Sequence, residues 1–504
     1  MSWSRVWPLR GGIVYNARSK PGRMLAVQER RNDPPLCVDL DGTLLNSDLL
    51  VESLLLMLKR QPWTLFLLPW WLLRGKAHLK HEIAQRVEVD VSLLPYHPQV
   101  LPWVREEHQA GRQVVLATAS HERYAQAIAA HLGCFDAVEA SRPGRNLEGR
   151  HKAAALVARY GAQGFDYAGN SRADHPVWAQ ARQAIVVSPD ARLLKAAQAK
   201  HAVSRSFIGP AVGLRPWMKA LRVQQWLKNL LIFLPLALAH RLGGVDTLVQ
   251  VLLGFFCFSL CASSVYILND LLDLESDRRH PRKAKRPWAS GQIPLLQGLI
   301  AIPLLLIGCF ALALAYLPML YVGVLALYYV MTLSYSIWLK SRVMVDVILL
   351  AALYTMRLLA GMAVAQVAPS FWLLAFSLFI FFSLALVKRY SELYQLRQRG
   401  HLTTHGRGYH VEDLVMLLSF GVASGFIAVL VFALYINSSQ VQLLYREPRI
   451  LWLATPLLLY WISRIWLITH RGQMHDDPVV FAARDRHSWM VGLLIVMLMM
   501  VATW

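Results

Sequence analysis

Two rhythms of apolar and polar residues divide the chain. Up to about residue 210, short apolar runs (PLCVDLDG, QVVLATAS, FDYAGNS and AIVVSP) alternate with helical patterns such as RYAQAIAAHLG and RHKAAALVARYG. Strand-length apolar runs separated by amphipathic helices predict an α/β unit with a parallel sheet and crossover helices. From about Gln225 the rhythm changes to nine long apolar runs, over 226–242, 246–268, 293–315, 317–338, 344–365, 370–387, 414–437, 450–469 and 488–504. Most approach the ~20 residues that cross a hydrocarbon core, and the first and last are marginal. Backbone groups in lipid must be satisfied within their own segment, so these runs predict an all-α polytopic bundle of about nine spans. The expected organisation is a basic N-terminal extension over 1–33, an α/β domain over 34–202, a linker over 203–216 and a membrane domain over 217–504.

Composition sharpens this division. The 504 residues carry 52 Lys+Arg against 31 Asp+Glu, a formal charge of +21, while 56% of positions are apolar. High charge and high hydrophobicity in one chain place the cations in loops and the apolar stretches in lipid, and exclude disorder, collagen and a disulfide scaffold. With a cytoplasmic N-terminus, the loops 269–292, 339–343, 388–413 and 470–487 fall on one side and hold sixteen Lys/Arg; the other side holds Arg241, Arg446 and Arg449. That asymmetry predicts an integral protein, read as one of a bacterial inner membrane, with the N-terminal domain and the long polar loops in the cytoplasm. The first thirty residues lack the apolar core of a signal peptide. Five cysteines without a CxxC read as packing residues. Despite the basic balance, no basic groove with interleaved aromatics marks a nucleic-acid site. Self-association is left open.

Chemistry concentrates in two places. The first is Asp39-Leu40-Asp41-Gly42-Thr43 after the apolar LCV. Two carboxylates at the carboxyl end of a strand stand where open α/β sheets place ligands, and Gly42 lets the backbone turn toward a bound group. Thr118 ends the run VVLA, Lys152 opens a helix, and Gly169-Asn170-Ser171-Arg172-Ala173-Asp174 follows another short run. A hydroxyl and an ammonium suit phosphoryl oxygens, and a carboxylate at Asp174 suits Mg²⁺. Across about 35–190 this series resembles the haloacid dehalogenase-like phosphatases, which implies a Rossmann-like fold with a small helical cap. The resemblance further implies Asp39 as nucleophile, Asp41 as general acid/base, Thr118 and Lys152 as phosphate ligands, and Mg²⁺ held by Asp39, Asp41, Asn170 and Asp174. Asn170 departs from the family, which places an acid there. The cap is expected over about 48–110. Within it LLLMLKRQPWTLFLLPWWLLRGK reads either as cap core or as an interfacial element.

The second place is Asn269-Asp270-Leu271-Leu272-Asp273-Leu274-Glu275-Ser276-Asp277, followed by a basic run through Arg286. If helical, Asp270, Asp273 and Asp277 share one face and repel one another unless a cation sits among them, which points to Mg²⁺ with substrate phosphates. Asp346 and Arg357 lie inside a later apolar run, where ionisable residues are costly and mark a site unless they form a structural pair. Lys340, Lys388, Arg389 and Glu392 stand on the same side. NDxxDxxxD in a nine-span chain resembles the UbiA superfamily of intramembrane prenyltransferases across 213–504. The second acidic motif of aromatic-acceptor members is reduced here to Asp346. LRVQQWLKNLLIFLPL, HPRKAKRP, YSIWLKSRVMVDV with Arg357 and Gly361, and DDPVVFAARDR are similar to the polyprenyl-phosphate phosphoribosyltransferase branch, of which the decaprenyl-phosphate enzymes are a type. That branch implies phosphoribosyl pyrophosphate as donor, a polyprenyl phosphate as acceptor, and Mg²⁺ at both sites of this chain. Residues expected to bind substrate are Lys228, Asn229, Asn269, His280, Lys283, Arg286, Tyr335, Lys340, Arg357, Lys388 and Arg389; Asp270, Asp273, Asp277 and Asp346 are expected at the metal. A bifunctional phosphoribosyltransferase and phosphatase is the reading. The alternatives are prenyl transfer to an aromatic or hydrophobic acceptor and a lipid-phosphate carrier.

Overall fold

The computed structural model describes residues 33–188, 190–209, 212–239, 244–398, 408–474 and 477–503. Nearly all of the basic extension, the end of the first apolar run and Asp476 lie outside these residues. The chain forms two compact units: 33–213 with Glu275–Lys285 and Ala289–Leu295, and the remainder from Leu214.

In the first unit, β1 (Leu36–Val38), β2 (Val114–His121), β3 (Ala137–Ser141), β4 (Asp166–Gly169), β5 (Gln183–Val187) and β6 (Val203–Phe207) form one sheet in the order β3-β2-β1-β4-β5-β6. Every pairing is parallel. Successive strand residues point to opposite faces, and both faces are covered. Leu36, Val38, Val114 and Leu116 enter one core cluster, whereas Cys37, Val115 and Ala117 enter the other. The sheet therefore has a dry interior on each side, and its strand ends are left to carry chemistry.

Two boundaries move. Val203–Phe207 pairs with β5, so the sheet extends past 202 into the stretch expected to be linker; its polar edge-strand sequence hid it. The insert contains α1 (Leu49–Arg60), a 3₁₀ turn (Pro62–Phe66), α2 (Leu68–Leu73) and α3 (Lys76–Arg86), but α4 (Val100–Gln109) does not belong to it. Val100, Trp103 and Val104 of α4 are buried in the sheet core beside Leu36 and Val114.

Among the described residues of the second unit, eight helices are long and apolar enough to cross a membrane: Val245–Leu272 (α5), Leu295–Tyr316, Met319–Ile337, Val345–Ala365 (α6), Phe371–Gln398 (α7), Val411–Ile436, Pro448–His470 and Arg486–Thr503. The first of the nine expected runs is the shorter Val223–Leu238. It is 3₁₀ over Val223–Phe233 and α over Leu234–Leu238, and at about 2.0 and 1.5 Å per residue it reaches roughly 30 Å. Sixty-seven percent of the apolar window of α6 and 61% of that of α5 are buried, against 11% in Arg486–Thr503, so α5 and α6 are central. Gly361 of α6 permits a close approach, since a Cβ there would run into the Ile232 carbonyl.

Candidate functional sites

The phosphatase-like site is assembled at the carboxyl ends of β1, β2 and β4. Lys152, in the first turn of the helix Arg150–Tyr160, is buried and donates to Asp39 Oδ1 at 2.7 Å and to the Tyr167 hydroxyl at 2.8 Å. Tyr167 in turn donates to Asp174 Oδ1 at 2.9 Å. Asp174 Oδ2 accepts from the Ser171 hydroxyl and backbone N–H, both at 2.9 Å, and from the Asn170 N–H at 3.1 Å. Asp41 accepts from the Leu49 N–H at 2.8 Å and the Ser120 hydroxyl at 2.6 Å. Thr118 is fully buried, and its hydroxyl accepts from the Ser120 N–H at 3.0 Å. Gly42 has φ +74°, and a Cβ there would strike the Asn170 amide. The expected set is thus brought together. Ser120 and Tyr167 join this set without a motif signal of their own; both lie inside the quoted apolar runs, two residues from Thr118 and three from Asn170.

Burial dominates the electrostatics here. It pushes the Asp39 carboxyl up to about 6 against the pull of the Lys152 ammonium. Asp41 is pushed up to about 7, first by burial and then by the Asp48 carboxylate, with the Ser120 hydrogen bond opposing. Burial works to lower Lys152, but Asp39 and Asp174 outweigh it and hold the ammonium above its ordinary value. Three carboxylates, Asp39, Asp41 and Asp174, share a single buried ammonium. Their side chains are not gathered into a ready-made metal cluster, but an oxygen-rich set with an excess of negative charge is chemically suited to a hard divalent cation such as Mg²⁺.

The second site is a cavity of about 320 Å³ inside the membrane unit. Among the described residues its cations are Arg222, Lys228, Arg357 and Lys388, and its acid is Asp477. Tyr266, Tyr328, Tyr335 and Tyr354 line it with Leu350, Leu353 and Leu384, and Asn269 reaches it from the end of α5. Arg357 Nε donates to Asn229 Oδ1 at 2.9 Å and Nη1 to the Leu353 carbonyl at 2.5 Å. Its guanidinium lies over the rings of Phe258, Tyr328 and Tyr354 at 5.3 to 5.4 Å. Asn229 is held by a hydrogen bond to Ser259 at 2.9 Å. Lys228 meets Asp477 at 2.7 Å and Lys388 meets it at 3.5 Å. Burial would raise the Asp477 carboxyl, but these two ammonium groups hold it down at about 2. Arg222 carries φ +52°, a left-handed conformation at the start of the 3₁₀ segment, and strain of this kind clusters at functional sites.

Several expectations need correction. Asp270, Asp273 and Asp277 do not form a stripe on one helix. The first helix ends at Leu272, Asp273 caps it with φ −101° and ψ 13°, and Asp277 belongs to the separate short helix Leu274–Arg279. Asp270 is neutralised by Arg222 and by Arg286 at 2.9 Å, and Asp273 meets Lys340 at 3.3 Å. Among the described residues no group of three His, Cys, Asp or Glu side chains is placed to hold a metal ion. Asp270, Asp273 and Asp346, each paired with a cation, do not fit Mg²⁺ as they stand. Asp346, expected at the metal, is fully buried and pairs with Arg389 at 2.6 Å while accepting from the Tyr409 hydroxyl at 2.5 Å. Arg389 therefore serves that pair and Glu392 rather than a substrate. Nor does Arg357 pair with Asp346, since eleven helical residues separate them by about 16 Å. His280 and Lys283 lie in the loop counted with the first unit, where the His280 ring accepts from the backbone N–H of Arg282 and Lys283. Arg222 and Asp477, which line the cavity, lie inside the segments LRVQQWLKNLLIFLPL and DDPVVFAARDR but were not singled out.

Comparison with known proteins agrees with this division. A UbiA prenyltransferase family model matches residues 230–502, and a haloacid dehalogenase-like hydrolase model matches residues 36–178. An uncharacterized protein of Sinorhizobium fredii is 36% identical over 491 residues, 94% of each chain. Nodulation protein NoeC of Azorhizobium caulinodans is 34% identical over 54% of this chain and 88% of its own. The decaprenyl-phosphate phosphoribosyltransferase of Mycobacterium tuberculosis is 35% identical over 36% of this chain and 62% of its own. A solved UbiA homolog from Archaeoglobus fulgidus bound to GPP and Mg²⁺ is 15% identical with a TM-score of 0.43, covering 57% of this chain and 99% of that one.

Proposed function

The chain belongs to the UbiA prenyltransferase family, with a haloacid dehalogenase-like hydrolase domain preceding its membrane helices, and on that premise we propose that it is a bifunctional enzyme of lipid-linked ribose synthesis. The membrane unit transfers 5-phosphoribose from phosphoribosyl pyrophosphate to a polyprenyl phosphate. The hydrolase unit then removes the 5-phosphate from the lipid-linked product.

The cavity carries this reading. Among the described residues, four cations against one acid match a diphosphate and a lipid phosphate together, and the tyrosine and leucine walls suit a ribose and the first isoprene units. In the transfer step an oxygen of the lipid phosphate attacks ribose C1, and the C1–O bond to pyrophosphate breaks. Pyrophosphate departs with the electron pair. Lys228, Lys388 and Arg222 stabilise the charge it gains, and Arg357, its plane fixed by Asn229 and three aromatic rings, orients the phosphate it meets. Release of Arg222 from Asp270 and of Lys228 from Asp477 would accompany anion binding.

In the hydrolase unit the Asp39 carboxylate attacks the 5-phosphate phosphorus, while the ribose C5 oxygen leaves and takes a proton from Asp41. A carboxyl pushed up to about 7 retains a proton near neutrality, which is what this acid role needs. Water then cleaves the aspartyl-phosphate with Asp41 accepting its proton. Mg²⁺ held by Asp39, Asp174 and Asn170 would neutralise phosphoryl oxygens during both steps. Lys152 and Thr118 hold the remaining oxygens.

Prenyl transfer to an aromatic acceptor is disfavoured by Asp346, whose carboxylate is committed to Arg389 and Tyr409. The loop charges support an orientation with the hydrolase on the cytoplasmic side, in keeping with a bacterial inner-membrane location. The test is incubation of the purified full chain with Mg²⁺, radiolabelled phosphoribosyl pyrophosphate and a polyprenyl phosphate. Label is expected in the lipid fraction as ribose without its 5-phosphate, and Asp39→Asn is expected to accumulate the 5-phosphorylated lipid. No labelled lipid, with isoprenyl transfer from geranyl diphosphate instead, would overturn the proposal.

A further inference from the structure

The surface of the first unit holds one apolar patch that neither site uses. Among its described residues, seven large apolar side chains are exposed, and six of them fall between residues 63 and 73. Trp63 is 58% exposed, Leu65 53%, Phe66 83%, Trp70 57%, Leu72 55% and Leu73 82%. The segment is nonetheless ordered from beneath. Trp71 is buried with Met57, Ile83 and Val87, and Leu67 and Leu68 pack on that cluster. Thr64, also buried, donates its hydroxyl to the Gln61 carbonyl at 2.7 Å. One side of the 3₁₀ turn and α2 is thus fixed to the cap, and the other side presents tryptophan, phenylalanine and leucine outward.

We propose that this face of the cap inserts into the headgroup region of the lipid bilayer that the chain's own helices span. A water-facing domain rarely leaves six large apolar side chains on eleven consecutive residues, and the composition names the partner. Tryptophans beside leucine and phenylalanine are the residues of the membrane interface. The exposed rim is basic, with Arg60, Arg74 and Lys76 around it, which complements anionic headgroups. The Arg74 guanidinium lies 5.0 Å over the Trp70 ring, a cation held at the edge of the apolar face. Pro62 and Pro69 confine the segment to short helices, so it can lie in the interface but cannot cross it. The lipid surface is always at hand, because the same polypeptide carries, among its described residues, eight helices long and apolar enough to cross a membrane. Insertion would keep the hydrolase cap at the depth where a lipid-linked phosphate is presented, but the lipid contact stands whether or not that substrate is correct.

All five native cysteines are buried, so an exposed thiol introduced by substitution can be labelled selectively. The full chain carrying Phe66→Cys, Leu73→Cys or the control Ala196→Cys is labelled with nitrobenzoxadiazole. Each is placed, one chain per disc, in phosphatidylcholine–phosphatidylglycerol nanodiscs with or without doxyl-labelled lipid. The labels at 66 and 73 are expected to emit to the blue of the label at 196 and to lose most of their emission to the doxyl lipid, while 196 loses little. Leu73→Cys reads the same face should Phe66→Cys fail to fold. Equal quenching at all three positions, or none at 66 and 73, overturns the proposal; the latter result would mean that protein covers the face.

Discussion

Lys228 and Asp477, 249 residues apart in the chain, meet at 2.7 Å on the wall of the membrane cavity, and Lys388 reaches the same carboxylate at 3.5 Å. The acid restrains two cations that a diphosphate would otherwise recruit. Asp477→Asn removes one negative charge without changing shape, so the cavity should bind inorganic pyrophosphate more tightly, on the order of tenfold by a short Coulombic contact in a partly dry site. Slower product release should accompany it as a lowered kcat. Calorimetric titration of the full chain with pyrophosphate measures the first effect; a weakened affinity would show that Asp477 orients the ammonium groups rather than competing for them.

Arg357 offers a sharper test of geometry. Its Nε and Nη1 atoms donate to Asn229 and to the Leu353 carbonyl, leaving the planar face stacked among three rings. Lysine keeps the charge but can reproduce neither the fork nor the stacking. Arg357→Lys should lower the proposed ribosyl transfer on the order of 100-fold, the scale of losing a positioned donor. Hydrolysis of a small phosphate ester by the first unit should be unchanged in the same preparation.

The two sites differ in how far the sequence reveals them, and the reason is geometric. Asp39, Thr118, Lys152 and Asp174 sit at strand ends or at a helix start beside the sheet, and a parallel sheet gathers such positions along one edge whatever the intervening length. In the membrane unit the relevant variable is rotation about a helix. Lys388 and Arg389 are adjacent, so their side chains diverge by about 100°; one lines the cavity and the other is committed to Asp346. The DxxDxxxD spacing promised a shared face only if the helix continued, and it stops at Leu272. Periodicity does not announce that break, because Asp273 is as compatible with a cap as with a helix interior.

The Asp346–Arg389 pair makes a separate prediction about stability. Both side chains are fully buried, so truncating one leaves the other charged and unpaired. Asp346→Ala should destabilise the chain by about 3–5 kcal/mol, read as an earlier thermal transition in detergent. Asp346→Leu combined with Arg389→Met should recover most of the loss, since replacing both partners by apolar groups removes the uncompensated charge. If the single substitution leaves the transition in place while abolishing transfer, the pair acts on substrate and its structural assignment fails.

Stability of the hydrolase unit should depend on pH and metal together. Asp39 and Asp41 rise from an ordinary 3.8 to about 6 and about 7 on folding. Between these limits the folded state binds more protons than the unfolded one, so stability falls as pH rises from about 4 to about 7 in chelator. A bound divalent cation favours the ionised carboxylates and should flatten or reverse that slope. Melting the full chain at pH 5 and pH 7.5, with EDTA or with Mg²⁺, separates the cases. A hydrolase transition that is unchanged between these two pH values in EDTA would show that the carboxylates are solvated rather than buried.

Asn170 decides how the hydrolase site balances its charge. Its amide packs against Gly42, and its backbone N–H donates to Asp174, so it belongs to the same pocket as Asp39 and Asp41. The relatives that this motif resembles place an acid there. Asn170→Asp adds a fourth carboxylate to a site whose one buried cation is Lys152, and two opposed effects follow. Without metal the variant should melt earlier than the parent, because like charges repel in a dry pocket. With Mg²⁺ that deficit should disappear, and metal affinity should rise on the order of tenfold, since one more anionic oxygen strengthens the binding of a hard cation. Isothermal titration with Mg²⁺ and melting in EDTA read the two arms independently. If affinity is unchanged while the EDTA transition still drops, the residue lies outside the metal's reach. The charge on the ion would then have to be balanced by the phosphate of the substrate, so that Mg²⁺ and substrate would bind together rather than in sequence.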